Sequence, residues 1–206
     1  MKGIDMSKDA TRLVIGVPSG DMIHADFAMS LVNLTLQSYM EGCSIAIINQ
    51  KSSIIEVGRN QIVEQAVLQG ADYLLMLDSD MLFPADIFLR MKKWDKAVVC
   101  CDAVQRRAPY NQVVQLEDGS KIDHENCVED IVKLKGASTA CMLIDMHKLA
   151  GIEGPWFVVE WKDNKFLGED YYFTKLLKEK GIDIWCDVAL SKRIGHMGNK
   201  AFYVKS

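Results

Sequence analysis

Several features are missing from this 206-residue chain. No apolar run approaches the roughly 18–20 residues that a helix needs to cross a bilayer, so no membrane span is expected. The stretch from Met1 to Ala10 is polar and charged and has no signal-peptide core. The six cysteines lack metal-knuckle spacing: Cys100 and Cys101 are adjacent and form no C-x-x-C pair. Most of them lie in apolar, strand-like segments, as buried reduced thiols do, and a cytoplasmic protein is expected. An excess of basic residues is also missing. The formal charge of −4 argues against general electrostatic binding to nucleic acid, although it leaves room for a local basic patch. No repeat, low-complexity stretch or linker divides the chain, which points to one domain over 1–206.

What is present is an ordinary globular composition, 49% apolar and 25% charged, sufficient for a real core. The chain is organised around Tyr73 to Pro84, YLLMLDSDMLFP. Tyr73 to Leu77 is apolar on both faces, as in a strand buried in a parallel sheet. Ionised carboxylates are not left unpaired in such a core, so the strand ends near Asp78 and delivers Asp78 and Asp80 to its carboxyl edge. That edge is where open α/β sheets bind ligands. Two acids one residue apart suit a hard divalent ion that takes protein carboxylates plus substrate phosphates. They also suit a turn before the helix that Pro84 introduces.

The remaining pattern alternates. Strands are expected at Leu13–Val17, Ser44–Ile48 and Ala97–Cys101, with helices at Ala25–Met40, Glu56–Leu68 and Ala85–Trp94. Phe27, Leu31, Leu34 and Leu36 mark one helix face, and Ile62, Val63, Ala66 and Val67 another. This β-α-β order predicts a mostly parallel central sheet in a three-layer α/β/α sandwich of Rossmann type. The second half reads differently. Residues 105–126 form a polar excursion, Val128–Leu134 and Thr139–Ile144 are strand candidates joined at Lys135-Gly136-Ala137, and Asp145–Leu149 is a helical turn. Phe157–Trp161 follows as a strand before a turn at Asp163-Asn164. An amphipathic helix at Glu169–Lys180 stops at Gly181, and Ile182–Cys186 is the last strand.

Four more features can carry chemistry. Gly168-Glu169-Asp170 opens the late helix, where acids favour the dipole and can equally serve as a general base. His196 lies in Gly195-His196-Met197-Gly198, where glycines let backbone approach a bound group; it can ligate Mn²⁺ or, when charged, contact phosphate. Arg59, near a helix start, is either a surface charge or a planar fork for a diphosphate. Pro18-Ser19-Gly20-Asp21 and Asn49-Gln50 follow the first two strands, and with Asp78 and Ser79 they share one sheet edge. They are either turns or holders of a base and ribose.

The order Val17-Pro18-Ser19, Arg59-Asn60, LLMLDSDM, Gly168-Glu169-Asp170, Gly195-His196 resembles nucleotide-sugar-dependent glycosyltransferases of the GT-A fold. It is most similar to the family-2-type enzymes and their short bacterial and phage relatives, over roughly Arg12 to Gly198. The resemblance implies that 1–102 binds the nucleotide sugar (a UDP- or GDP-sugar) and 103–206 binds the acceptor and carries catalysis. It implies that Asp78 and Asp80 hold Mn²⁺ or Mg²⁺ against the donor diphosphate, with His196 completing the metal shell or touching a phosphate. It implies that Asp170, or Glu169 as second choice, activates the acceptor hydroxyl in an inverting reaction.

Two departures from the family pattern stand out. Asn49-Gln50 replaces the acid common after the second strand, and the short chain must take its acceptor through 105–126, through 155–167 or through a partner. The acceptor is a glycan, a small molecule or a modified polymer, and an oligomer is possible. Arg106-Arg107 and Lys192-Arg193 can steer a polyanionic acceptor or stand solvated. A nucleotidyltransferase that makes sugar nucleotides, and a binding module with a decayed catalytic site, are the rival assignments. The first lacks the usual glycine-rich basic loop at Pro18-Ser19-Gly20-Asp21.

Overall fold

The computed structural model describes residues 10–106, 108–198 and 201–204. Arg107 and all but the last residue of the expected N-terminal tail lie outside them. The elements run β1 (Arg12–Ser19), α1 (Ala25–Met40), β2 (Ser44–Lys51), α2 (Ile55–Leu68), β3 (Tyr73–Leu77), β4 (Met81–Leu82), α3 (Ile87–Lys92), β5 (Val98–Cys100) and β6 (Val114–Leu116). The second half continues with β7 (Ile131–Ala137), β8 (Cys141–Asp145), β9 (Glu160–Lys162), β10 (Lys165–Leu167), α4 (Glu169–Glu179), β11 (Ile184–Asp187), α5 (Val188–Ser191), β12 (Gly195–Met197) and β13 (Ala201–Tyr203). None of the described helices is long and apolar enough to cross a membrane.

Eight strands form one mixed sheet in the order β2-β1-β3-β8-β5-β11-β7-β6. The expectation of a mostly parallel sheet is corrected here. β1 pairs in parallel with β2 and β3, and β5 with β11, but β8 runs antiparallel between β3 and β5. β7 is antiparallel to both β11 and β6. Strand direction left no trace in the residues, because Cys141–Asp145 is buried along its whole length and reads like any central strand.

The strand side chains alternate between two cores. Val14, Leu74 and Met76 face α2 and α4 through Ile62, Val63, Ala66, Phe173 and Leu177. Leu13, Ile15, Leu75 and Leu77 face α1 and α3 through Phe27, Leu34, Ile87, Phe88 and Met91. Burying each such Leu or Phe contributes roughly 1.5–3 kcal/mol, and the two cores hold helices against both faces of the sheet. Leu36 and Val67, expected on the inner faces, are exposed.

Three local expectations also shift. The excursion at 105–126 contains β6, and α3 starts three residues after Pro84. Gly136, expected in a turn, lies within β7, where an added Cβ would come within 2.8 Å of the Tyr171 ring. This glycine lets α4 approach the strand and turns nothing. Gly16 does the same for α2, since a Cβ there would meet Ile62 Cγ2 at 2.3 Å. A Gly16→Ala variant should therefore lose about 1–3 kcal/mol through overpacking. Gly20→Ala, with nothing within 4 Å of its Cβ position, should melt like the parent. Thermal unfolding of the two variants checks this; equal melting would exclude the close approach.

Candidate functional site

β3 ends at Leu77, and a turn in which the Met81 N–H donates to the Asp78 carbonyl (3.1 Å) lifts Asp78 and Asp80 out of the core. Register places Val17 beside Asn49 and Pro18 beside Gln50, while Gly16 sits beside Met76. The ends of β1, β2 and β3 therefore open on one edge. There Pro18, Ser19, Gln50, Ser52, Asp78 and Asp80 line a cavity of about 300 Å³, with Ser79 among its walls. A larger hollow of about 790 Å³ lies against Leu116, Ile131 and Trp185. The acids named above are not in it, and the chemistry gathers in the smaller one.

Beneath the cavity lies Arg59, 2% exposed. Its Nη2 donates to both oxygens of Asp78 (3.0 and 3.3 Å), and its Nη1 donates to Glu169 and Asp170. Its Nε is buried without a hydrogen-bond partner among the described residues. The expected diphosphate contact is corrected: the fork faces protein carboxylates. Burial opposes the guanidinium charge, but Asp78, Asp170 and Glu169 outweigh it and hold the proton more firmly than in free arginine. For the acids the balance tips the other way. Burial pushes the Asp78 carboxyl up despite Arg59, and burial together with the neighbouring Asp170 raises Glu169.

Glu169 and Asp170 differ in freedom. Asp170 Oδ1 accepts from Arg59 and from Thr139 Oγ1 (2.5 Å), and Oδ2 accepts from Ser138 Oγ (2.9 Å). Both oxygens of the residue expected as the base are thus engaged. Glu169 is bonded through Oε1 to Arg59, and among the described residues nothing bonds to its Oε2.

β12 pairs antiparallel with β4, and the Met197 N–H donates to the Asp80 carbonyl at 2.7 Å. This carries His196 back onto the acids, with Nε2 3.4 Å from Asp80 Oδ1. Arg106 Nη1 reaches Asp80 Oδ2 at 2.8 Å. Burial acts to raise the Asp80 carboxyl, but His196 and Arg106 outweigh it and hold it below the usual range. Burial likewise disfavours the His196 charge, and Asp80 with the Val104 carbonyl overcomes it.

The expected metal trio is not assembled, because Asp78 turns both oxygens to Arg59 while Asp80 and His196 stand together. Among the described residues no group of three or more His, Cys, Asp or Glu side chains is placed to hold a metal ion. The Asp80–His196 pair nevertheless fits a hard cation that brings its own water and phosphate ligands. His196 Nδ1 bonds to the Val104 carbonyl at 2.9 Å, which turns Nε2 toward Asp80; a ligating histidine has its second nitrogen held in this way.

Of the residues expected to hold the donor, Pro18, Ser19, Asp78 and Ser79 line the cavity. Asn49 accepts a hydrogen bond from Ser19 Oγ at 2.5 Å and so positions a wall residue. Asp21 points into solvent beside Lys51 (3.7 Å). Sequence reasoning missed Ser138 and Thr139, which close the join between two strand candidates and open the second, and give no signal until the fold sets them against α4. It also missed the buried Asp102–His124 pair (2.8 Å), whose members lie 22 positions apart, Asp102 just before the apparently polar excursion and His124 within it.

This fold and site define a three-layer mixed α/β protein whose polar cavity and acidic cluster sit at the ends of its first three strands. No family model matches the chain, and no curated protein matches it. Among solved structures it is similar to the crystal structure of A197 from STIV. The TM-score is 0.63 over 95% of this chain and 94% of that one, at 17% identity, a likeness of fold.

Replacing Arg59 with methionine leaves Asp78, Glu169 and Asp170 without their shared cation and should cost about 3–5 kcal/mol near pH 8. Carboxyls raised by burial bind protons more tightly in the folded state. Their contribution to stability is full below the unfolded pKa and is lost as pH rises through the folded one. The Arg59→Met deficit should therefore shrink at pH 5, as denaturant unfolding at the two pH values will report. A deficit equal at both would remove the carboxylates from the explanation.

Proposed function

We propose that the protein is a metal-dependent glycosyltransferase of GT-A type, moving a sugar from a nucleoside-diphosphate sugar to an acceptor hydroxyl with inversion. One observation carries this assignment. The polar cavity, the Asp80–His196 pair and the Glu169–Asp170 pair share a single sheet edge, and Arg59 ties the acids of the two halves together. The donor half is then 1–102 and the acceptor half 103–206. Six free cysteines suit a reducing cytoplasm.

The cavity walls, Pro18, Ser19, Gln50 and Ser79, supply hydroxyl and amide groups for the nucleoside of a UDP- or GDP-sugar. A Mn²⁺ or Mg²⁺ ion held by Asp80 and His196 would supply positive charge at the diphosphate as the bond to the anomeric carbon breaks. Arg106, half exposed and paired with Asp80, offers the guanidinium fork that buried Arg59 cannot. The acceptor hydroxyl must lose its proton as it attacks a ring carrying oxocarbenium-like charge. Glu169 is the better placed base: its Oε2 is unengaged, and burial raises its carboxyl toward the working range of a base. Asp170, fixed by Thr139, Ser138 and Arg59, positions the helix start that carries Glu169.

Glu169→Gln should lower turnover by about 10²–10⁴ and leave nucleotide binding in place. Release of nucleoside diphosphate from UDP- and GDP-sugars, followed with Mn²⁺ present and absent, measures it. Parent-like turnover in Glu169→Gln would withdraw the base assignment. Asp80→Ala should abolish the metal response with the fold preserved by circular dichroism, and an unaltered metal response would withdraw the metal site.

A further inference from the structure

The β9–β10 hairpin stands apart from the main sheet, since its two strands pair with each other. Asp163 and Asn164 form its turn, both with positive φ (52° and 56°), the conformation that a tight two-residue hairpin turn requires. Trp161 and Phe166 are register partners across it, with ring centroids 6.1 Å apart and planes 53° from each other. A cross-strand aromatic pair steadies a hairpin by up to ~1 kcal/mol. Even so, these rings remain 70% and 62% exposed.

The hairpin leads directly into the acids. Leu167 ends β10, Gly168 caps α4, and Glu169 follows. The Phe166 ring lies over Gly168, 3.7 Å from where a Cβ would stand. From Phe166 to Glu169 the backbone spans at most ~10 Å. A saccharide of two or three rings is long enough to span that length of chain.

The chemistry of the face selects the ligand. Two rings cannot approach the ~800 Å² per partner that a stable protein interface needs, so a second copy of the chain is not the natural occupant. A pyranose ring matches: its axial C–H hydrogens carry partial positive charge and meet the negative face of an aromatic ring. Its hydroxyl edge is left to water and to polar groups, while Lys162 and Lys165, register partners of each other, occupy the opposite face of the hairpin.

We propose that Trp161 and Phe166 form an acceptor platform on which a pyranose ring of a saccharide stacks, presenting a neighbouring hydroxyl to Glu169. The direction of this proposal rests on the glycosyl-transfer assignment, while the stacking is testable without turnover. Saturation-transfer NMR of the full chain with maltotriose, cellotriose and triacetylchitotriose should show transfer to ring C–H protons of at least one. Trp161→Phe, which keeps an aromatic face, should retain the transfer. Trp161→Leu, apolar without that face, should lose it at least 10-fold with circular dichroism unaltered.

No transfer to any of the three, equal transfer in Trp161→Leu, or loss in Trp161→Phe as well would each overturn the platform. So would a change from dimer to monomer in Trp161→Leu by sedimentation, which would assign the rings to a second copy. Thermal shift with UDP and GDP plus Mn²⁺ tests the donor assignment separately. Nucleotide binding without saccharide binding removes the platform alone, and saccharide binding without nucleotide binding keeps the platform and removes the transfer reaction.

Discussion

A single guanidinium buried among three carboxylates is the constraint around which this protein is arranged. Arg59 belongs to α2, Asp78 to the end of β3, and Glu169 and Asp170 to the first turn of α4. None of these acids could be carried so far from water alone, and the cation could not be buried without them. Their mutual dependence fixes the distance between the first half of the chain and the second. Burial, and after it the crowding of Asp170 against its neighbours, raises the Asp78 and Glu169 carboxyls despite the shared cation.

The same edge is closed from the other side by backbone. β12 returns to pair with the two-residue β4 immediately after Asp80, and the hydrogen bond from Met197 to Asp80 sets His196 opposite that acid. Val104 then fixes the ring through Nδ1. Val104 is itself held near Asp102, whose carboxylate takes the Val113 N–H and the buried His124. The excursion that looked like a polar loop is in this way a support for the histidine.

Much of this organisation was legible beforehand. Ala25–Met40 has the boundaries that its helical periodicity predicts, Tyr73–Leu77 those of its apolar run, and α4 begins at Glu169 as its amphipathic pattern predicts. The two acids leave the core where charge burial says they must. The roles within the cluster were not legible. Arg59 reads as a surface charge or a free fork because nothing local marks it as buried. Asp170 looked like the free base because Ser138 and Thr139, which occupy it, are about 30 positions away. Gly136 looked like a turn because a glycine needed for close packing and one needed for positive φ are the same residue type.

By itself the sequence determined the periodic elements, the placing of Asp78 and Asp80 at a strand end, and the acids at the start of α4. These follow from local burial patterns and from the penalty on charge in a core. Only the tertiary structure decided that β8 runs backwards through the sheet, that Arg59 serves its own protein's carboxylates, and that Glu169 has the unengaged oxygen. Strand direction and hydrogen-bond partnership are relations between distant segments, and the free energy that selects them belongs to the assembled pair and to neither residue alone.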